Sequence, residues 1–203
     1  MKFILIFVLA IFAFAEEYCE ICGMNLNHHK HTNHRLINKN KVVETCSLHC
    51  IYDIIIRDSA NKYTIQGFDN TNGEFKNLKD LLYVVGSDKK GTMTSESEFA
   101  FSSKEKANNF IKDNGGRIIQ GKDILEYTKN KFDKDKQILE SNQAKIAALG
   151  EKIAQKYCNI KELEKIRIEA KNIAEFKTKA KGSCNNIDGK GLQAVSLYFW
   201  KKQ

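Results

Sequence analysis

Two cysteine pairs constrain this chain more than any other feature in it. The first is Cys19-Glu-Ile-Cys22, followed at once by Gly23-Met24; the second lies in Thr45-Cys46-Ser-Leu-His49-Cys50, with 23 residues between Cys22 and Cys46. A C-x-x-C and a C-x-x-x-C at this distance put four thiols where a strand hairpin and a helix start can gather them, a spacing typical of soft-metal sites. Met24 adds a thioether two residues from Cys22, and thiolate with thioether is the ligand set that favours Cu(I) over harder ions. On an extended backbone Cys22 and Met24 point to one side, while Cys19, three residues back, faces partly away. Met93 sits in the polar stretch 87–97, where a thioether has little reason to be buried, and is a third candidate ligand.

Other readings of the same residues stay open. Cys19, Cys22, Cys46 and Cys50 also match the closed four-thiolate set of structural zinc. They could instead form two plain disulfides, such as Cys19 with Cys46 or Cys50, if the chain is exported. A thiol-disulfide oxidoreductase is the weaker alternative, because its C-x-x-C should open a helix in a β-α-β setting, whereas this one precedes a polar loop and a hairpin. No acid, base and nucleophile constellation stands elsewhere, so no catalytic residues are expected.

The compartment follows from the N-terminus. Met1-Lys2, the apolar run over 3–14 and Ala13-Phe14-Ala15 have the charged start, short apolar region and A-x-A site of a secretory signal. The run falls short of the ~20 residues that a spanning helix needs, and no later segment reads as transmembrane. Cleavage after Ala15 is expected, leaving a periplasmic chain without stable membrane insertion. Glu16-Glu17-Tyr18 does not offer the small apolar flank of a lipoprotein cysteine. In an oxidising compartment Cys158 and Cys184, far from the other four and bracketing a helical stretch, are expected to pair.

Charge divides the chain. Of the formal +8, residues 16–120 contribute nothing, with 14 basic and 14 acidic side chains, whereas 121–203 hold 18 basic against 11 acidic. A basic helical region could meet nucleic acid or an anionic surface. Export argues against nucleic acid, and lysines scattered along helices are a solvated face.

The patterning gives an α+β fold. Residues 28–34 carry four histidines and read as a loop. Arg35–Asn38 and Lys41–Thr45 form a hairpin, Thr45 caps a helix over 46–57 with Cys46 and Cys50 on one face, and 63–68 alternates as a strand. After the turn cluster Asp69-Asn-Thr-Asn-Gly73 come a strand ending at Gly86, a strand over 98–102, a helix over 104–114 stopped by Gly115-Gly116, and a strand over 117–120. Each half is β-β-α-β, so 16–121 reads as two small β-β-α-β modules carrying the metal-binding residues. From Gly121 the period is helical: one or two long helices ending at Cys158, a helix over 161–179 and a last one over 192–200. This region, 122–203, is expected to fold as a disulfide-stapled unit set apart from the metal site.

The ordered string Cys22-Gly23-Met24, Thr45-Cys46-Ser47, Gly86-Ser87, Met93, Phe99-Ala100-Phe101, Ala107, Phe110 and Gly115-Gly116 resembles the NosL family, the accessory copper proteins of nitrous oxide reductase maturation, over about residues 18–121. The resemblance implies a periplasmic Cu(I) chaperone of two β-β-α-β modules that holds copper through Cys22, Met24 and Met93. It also implies a copper-accepting enzyme, such as nitrous oxide reductase, or another copper-handling protein as partner. The chain departs from the family in lacking a lipoprotein flank and in carrying the helical residues 122–203.

Overall fold

A computed structural model describes residues 18–39, 41–58 and 62–202; the expected signal segment 1–15 lies outside them. Strands β1 (His34–Asn38) and β2 (Lys41–Thr45) form the antiparallel hairpin, in register from His34 opposite Thr45 to Asn38 opposite Lys41. Helix α1 (Leu48–Arg57) follows and lays Ile51 on Leu36 and Val43 of the hairpin. Its cap is Ser47, in extended backbone, whose Oγ accepts from the Cys50 amide at 3.4 Å. The expectation of a Thr45 cap is corrected here: Thr45 stays in β2, buried, with its hydroxyl donating to the Ser47 carbonyl at 3.1 Å. Cys46 therefore precedes the helix. Strand β3 (Thr64–Asp69) pairs antiparallel with β1 and completes the first module.

The second module is β5 (Leu82–Val85), β6 (Glu98–Phe101), α2 (Lys104–Asn114) and β7 (Arg117–Gln120). Between the modules lies a strand that the patterning does not reveal, β4 (Glu74–Asn77), paired antiparallel with β3 across the Asn70–Gly73 turn. Glu-Phe-Lys-Asn is too short and polar to read as a strand alone; its partner makes it one. The sheet runs β2-β1-β3-β6-β5-β7 with β4 on β3, and the modules join through one parallel pair, Asp69 with Ala100. Asp69 is fully buried at this seam. Its carboxylate accepts from the Thr71 and Ser102 amides at 2.9 and 2.8 Å, from Ser102 Oγ at 2.5 Å and from Lys76 Nζ at 2.9 Å. Burial opposes its charge, but these donors overcome the penalty and hold the carboxyl well below the ordinary carboxylate range. On one side of the sheet α2 covers Val84 and Phe101 with Ala107. Elsewhere Tyr83, Leu81, Val85 and Ala100 pack with Leu48 of α1 and with Ile124.

Ile124 opens α3 (Ile124–Tyr157), the single 34-residue helix of the C-terminal region. Then come α4 (Ile160–Glu169), α5 (Ile173–Ala180) and α6 (Gly189–Lys201). Residues 161–179 are thus two helices where periodicity predicts one. The break follows from Asn172, whose Oδ1 accepts from the Glu175 amide at 2.8 Å while Glu175 reaches back to the Lys171 amide at 2.9 Å, so a new N-terminus is capped inside the run. The Cys158–Cys184 disulfide is present and closes the α4–α5 loop. Leu163, Ile166, Phe176, Leu192, Val195 and Phe199 make the core of this region.

The helices are not set apart from the rest. Phe132 of α3 stacks on His49 of α1 at 4.6 Å and meets Tyr52 edge-on at 5.1 Å. Asp135 accepts from the Ser95 amide at 2.9 Å, and Lys131 lies 3.4 Å from Glu96. Apolar positions on α3 are too widely spaced to show from sequence which neighbour each will meet. No helix among the described residues is long and apolar enough to cross a membrane.

Two outcomes test this packing. At the α3–α6 crossing a Cβ on Gly150 would sit 2.0 Å from the Ala194 carbonyl oxygen, so Gly150→Ala must push the helices apart. A loss of about 1–3 kcal/mol, seen as a lower melting temperature, is expected. Glu98 in β6 is buried, and its Oε2 has no hydrogen-bond partner among the described residues. Burial, with Asp135 and Glu96 nearby and Lys131 opposing them, pushes its carboxyl up to about 8. The folded state keeps the proton that the unfolded chain releases near 4.5, so this stability is full below 4.5 and lost as pH rises through about 8. Glu98→Gln should therefore raise the melting temperature at pH 8.5 by roughly 5 °C and change it little at pH 4.5, as calorimetry at the two pH values would show.

Candidate metal centre

The site begins with a tight loop. Tyr18 bridges to Asn25, the Cys19 amide donates to the Met24 carbonyl at 2.9 Å, and the Gly23 amide donates back to the Cys19 carbonyl at 2.8 Å. This fold-back requires φ of +70° at Gly23, where a Cβ would be strained and would meet Ile173 of α5 at 3.3 Å. The loop turns the Cys19 and Cys22 side chains inward, with both residues buried. Opposite, Cys46 leaves β2 and Cys50 sits on the first turn of α1; neither shows any exposure to solvent.

The four sulfurs converge. Cys22 Sγ lies 3.4 Å from Cys46 Sγ and 3.8 Å from Cys50 Sγ, Cys46 and Cys50 are 3.9 Å apart, and all four Sγ atoms fall within 4.8 Å of one another. A tetrahedral ion with metal–sulfur bonds of about 2.3 Å needs sulfur–sulfur edges of roughly 3.8 Å. The edges among Cys22, Cys46 and Cys50 already have about that size. Burial disfavours charge on Cys19, but thiol donation from Cys22, Cys46 and Cys50 overrides it and holds the Cys19 thiol well below its ordinary pKa. Burial, then the Cys19 sulfur, raises the Cys22 thiol; donation to Cys19 and Cys22 raises Cys46 and Cys50 further. The metal-free cluster thus surrenders its first proton readily and the others with difficulty, as expected of sites that titrate together.

Met24 and Met93 pack against these thiols, half-buried, and Met93 is held at φ +63°, a conformation uncommon for a side chain of this kind. Beside them is a cavity of about 270 Å³, lined by Cys22, Met24 and Met93 and on its far wall by Ile138, Leu139 and Ile146 of α3 and Gln193 and Leu197 of α6. Cys22 alone of the four thiols lines it. The structure therefore brings together all six residues singled out as metal candidates, with the four thiols at the centre and the two thioethers on the cavity side.

His31 and His34 serve the scaffold. The 28–34 segment is not all loop: it holds a 3-10 turn at Lys30–Thr32, and His34 opens β1. His34 is buried, donates from Nδ1 to the Thr32 carbonyl at 2.9 Å and accepts at Nε2 from Tyr83 at 2.9 Å. Burial pushes its imidazole down to about 4, so it stays neutral. Thr32 Oγ1 donates to the Cys46 carbonyl at 2.8 Å, and His31 pairs with Asn70. Among the described residues, the four cysteines are the group of His, Cys, Asp and Glu side chains whose ligand atoms converge as a metal site.

Two residues at the site escape sequence reasoning. Lys177 Nζ donates to the Gly23 carbonyl at 2.8 Å and to Gln193 Oε1 at 2.6 Å, and Gln193 Nε2 donates to the Cys22 carbonyl at 2.8 Å. They stand 154 and 171 positions from their partners in the loop, inside helical periodicity that marks Lys177 only as one lysine among many.

A family model described as NosL matches residues 13–128, more than half of the chain. A crystal structure of the copper chaperone NosL from Shewanella denitrificans is similar at 24% identity and a TM-score of 0.42, over 51% of this chain and 85% of that one. No curated protein matches.

Exposure at the cavity orders the thiols. When reduced, metal-free protein is treated with iodoacetamide under native conditions, Cys22 should be alkylated before Cys19, Cys46 and Cys50, read by peptide mass spectrometry. Equal labelling of all four would show that the cavity does not govern access.

Proposed function

The chain belongs to the NosL family, and on that premise we propose that it is an exported Cu(I)-binding chaperone that hands its ion to a copper-accepting protein such as nitrous oxide reductase. The observation that carries this reading is the convergence of four buried thiols within 4.8 Å with two thioethers packed on one side. Soft donors of this kind favour Cu(I). The thioethers give the centre a direction: Cys22, Met24 and Met93 face the cavity, while Cys19, Cys46 and Cys50 close the back. An incoming thiol, thioether or imidazole reaches the ion from the cavity, and stepwise ligand exchange at Cys22 moves the ion without releasing it free into solution. Loading releases the protons still held by the thiols, so affinity rises with pH.

The resemblance implies Cys22, Met24 and Met93 as ligands, the cysteine spacing already offers Cys19, Cys46 and Cys50, and the convergence of the sulfurs supports proposing all six. Cys22, Met24 and Met93 define the exchange side, and Cys19, Cys46 and Cys50 join Cys22 as donors. Sulfur–sulfur distances of 3.4 to 3.9 Å among Cys22, Cys46 and Cys50, with Cys19 within 4.8 Å, favour a second reading, a structural four-thiolate zinc module.

Titration of the reduced apoprotein against a chromogenic Cu(I) chelator, with native mass spectrometry, separates the two. Tight Cu(I) uptake that displaces Zn(II) is expected; retention of zinc against Cu(I) would replace the chaperone reading with the structural one. Cys22→Ser should abolish Cu(I) binding, and Met24→Leu or Met93→Leu should weaken it by about one to two decades, at roughly 1.4 kcal/mol per tenfold. Loss of both Cys46 and Cys50 should be as damaging as loss of Cys22. Full binding by a folded Cys46→Ser/Cys50→Ser protein would confine the site to Cys22, Met24 and Met93.

A further inference from the structure

The helices beyond residue 128 lie outside the family match, yet they grip the metal loop. Lys177 is 3% exposed, and its Nζ sits between the Gly23 carbonyl at 2.8 Å and Gln193 Oε1 at 2.6 Å, 4.2 Å above the Tyr18 ring. Gln193 passes the contact on, its Nε2 donating to the Cys22 carbonyl at 2.8 Å. Two successive carbonyls, of Cys22 and Gly23, are thus held by one linked pair of side chains. Ile173 of α5 fills the space where a Cβ on Gly23 would project. Rotation of the 22–23 peptide would swing Cys22 Sγ, the thiol shared by the cluster and the cavity.

We infer that Lys177 and Gln193 are positioning residues of the metal centre: α5 and α6 fix the Cys22–Gly23 backbone through these two side chains, so that ion affinity and release depend on the C-terminal helices. The inference rests on the Cu(I) reading for its cargo, though the clamp would act on any ion held by these thiols. Partners that orient a ligand in this way are typically worth 10–100-fold in metal affinity. Lys177 does not touch the ion; it acts through Cys22.

The test uses full-length reduced protein and chelator competition for both Cu(I) and Zn(II), with the rate of Cu(I) removal and the melting temperature measured alongside. Lys177→Met keeps the apolar stem and removes the charge; Lys177→Arg keeps the charge; Gln193→Met removes only the amide. Cys158→Ser is the control that loosens the helical region without touching the loop. Lys177→Met is expected to lower Cu(I) affinity 10–100-fold and to speed removal, with Lys177→Arg recovering most of the loss and Gln193→Met moving in the same direction. Cys158→Ser should lower the melting temperature and leave affinity unchanged. Wild-type affinity in Lys177→Met overturns the inference, and so does loss that simply follows melting temperature across all variants, Cys158→Ser included. If Lys177→Met does not fold, wild-type affinity in Gln193→Met overturns it. Failure of the wild type to bind Cu(I) sinks the chaperone reading alone, and the Zn(II) affinities then decide the clamp: unchanged across variants, they overturn it.

Discussion

Four thiols can share a volume a few ångströms across only if two chain segments more than 20 residues apart are forced to meet, and most of the fold follows from how that is done. The Cys19–Met24 loop cannot hold itself in place. It leans on the end of β2 and the start of α1, which are fixed by the hairpin register and by the Ser47 cap. Those in turn depend on Leu48 and Ile51 reaching the sheet. A sulfur cluster without an ion has little to stabilise it, since each thiol is a weak hydrogen-bonding partner and burial opposes charge on all four, which donation from the others overcomes only at Cys19. On the proposed reading, the scaffold holds a geometry that is stabilised chiefly when a metal binds.

The seam between the modules shows a different solution to joining two units. One parallel backbone pair is a weak link, and the chain reinforces it with a buried carboxylate that gathers donors from β4, from the turn after β3 and from the end of β6. The metal loop lies against the first module and Met93 hangs from the second. The seam fixes the spacing between them, so the thioether and thiol halves of the centre are only as well aligned as this joint.

Much of this was legible in the sequence where the cause is local. Strand alternation around 35–45, the Gly115 stop of α2, and the spacing of the two cysteine pairs each name a structure that neighbouring residues impose. Where the cause is distant, the signal vanishes. Glu74–Asn77 becomes a strand because β3 offers it an edge, Thr45 gives up the cap because Ser47 is one step better placed, and Asn172 divides a run that is periodic on both sides of it. Lys177 is the clearest case. No local feature distinguishes it from Lys179, which faces solvent beside Glu175; its burial over the Gly23 carbonyl is a property of how α5 meets a loop at the other end of the chain.

The chain carries six cysteines with opposite requirements. Cys158 and Cys184 are joined, whereas Cys19, Cys22, Cys46 and Cys50 are free thiols, and the nearest two of these, Cys22 and Cys46, are already 3.4 Å apart. In an oxidising compartment the same chemistry that makes the first pair useful would ruin the second set. Maturation is then a race decided by order of events. An oxidant that arrives before the loop closes over the cluster can link Cys22 to any of three neighbours, while one that arrives after closure reaches the cluster only at Cys22, through the cavity. On the proposed reading of an exported chaperone, folding speed joins binding strength in setting what share of chains can carry an ion.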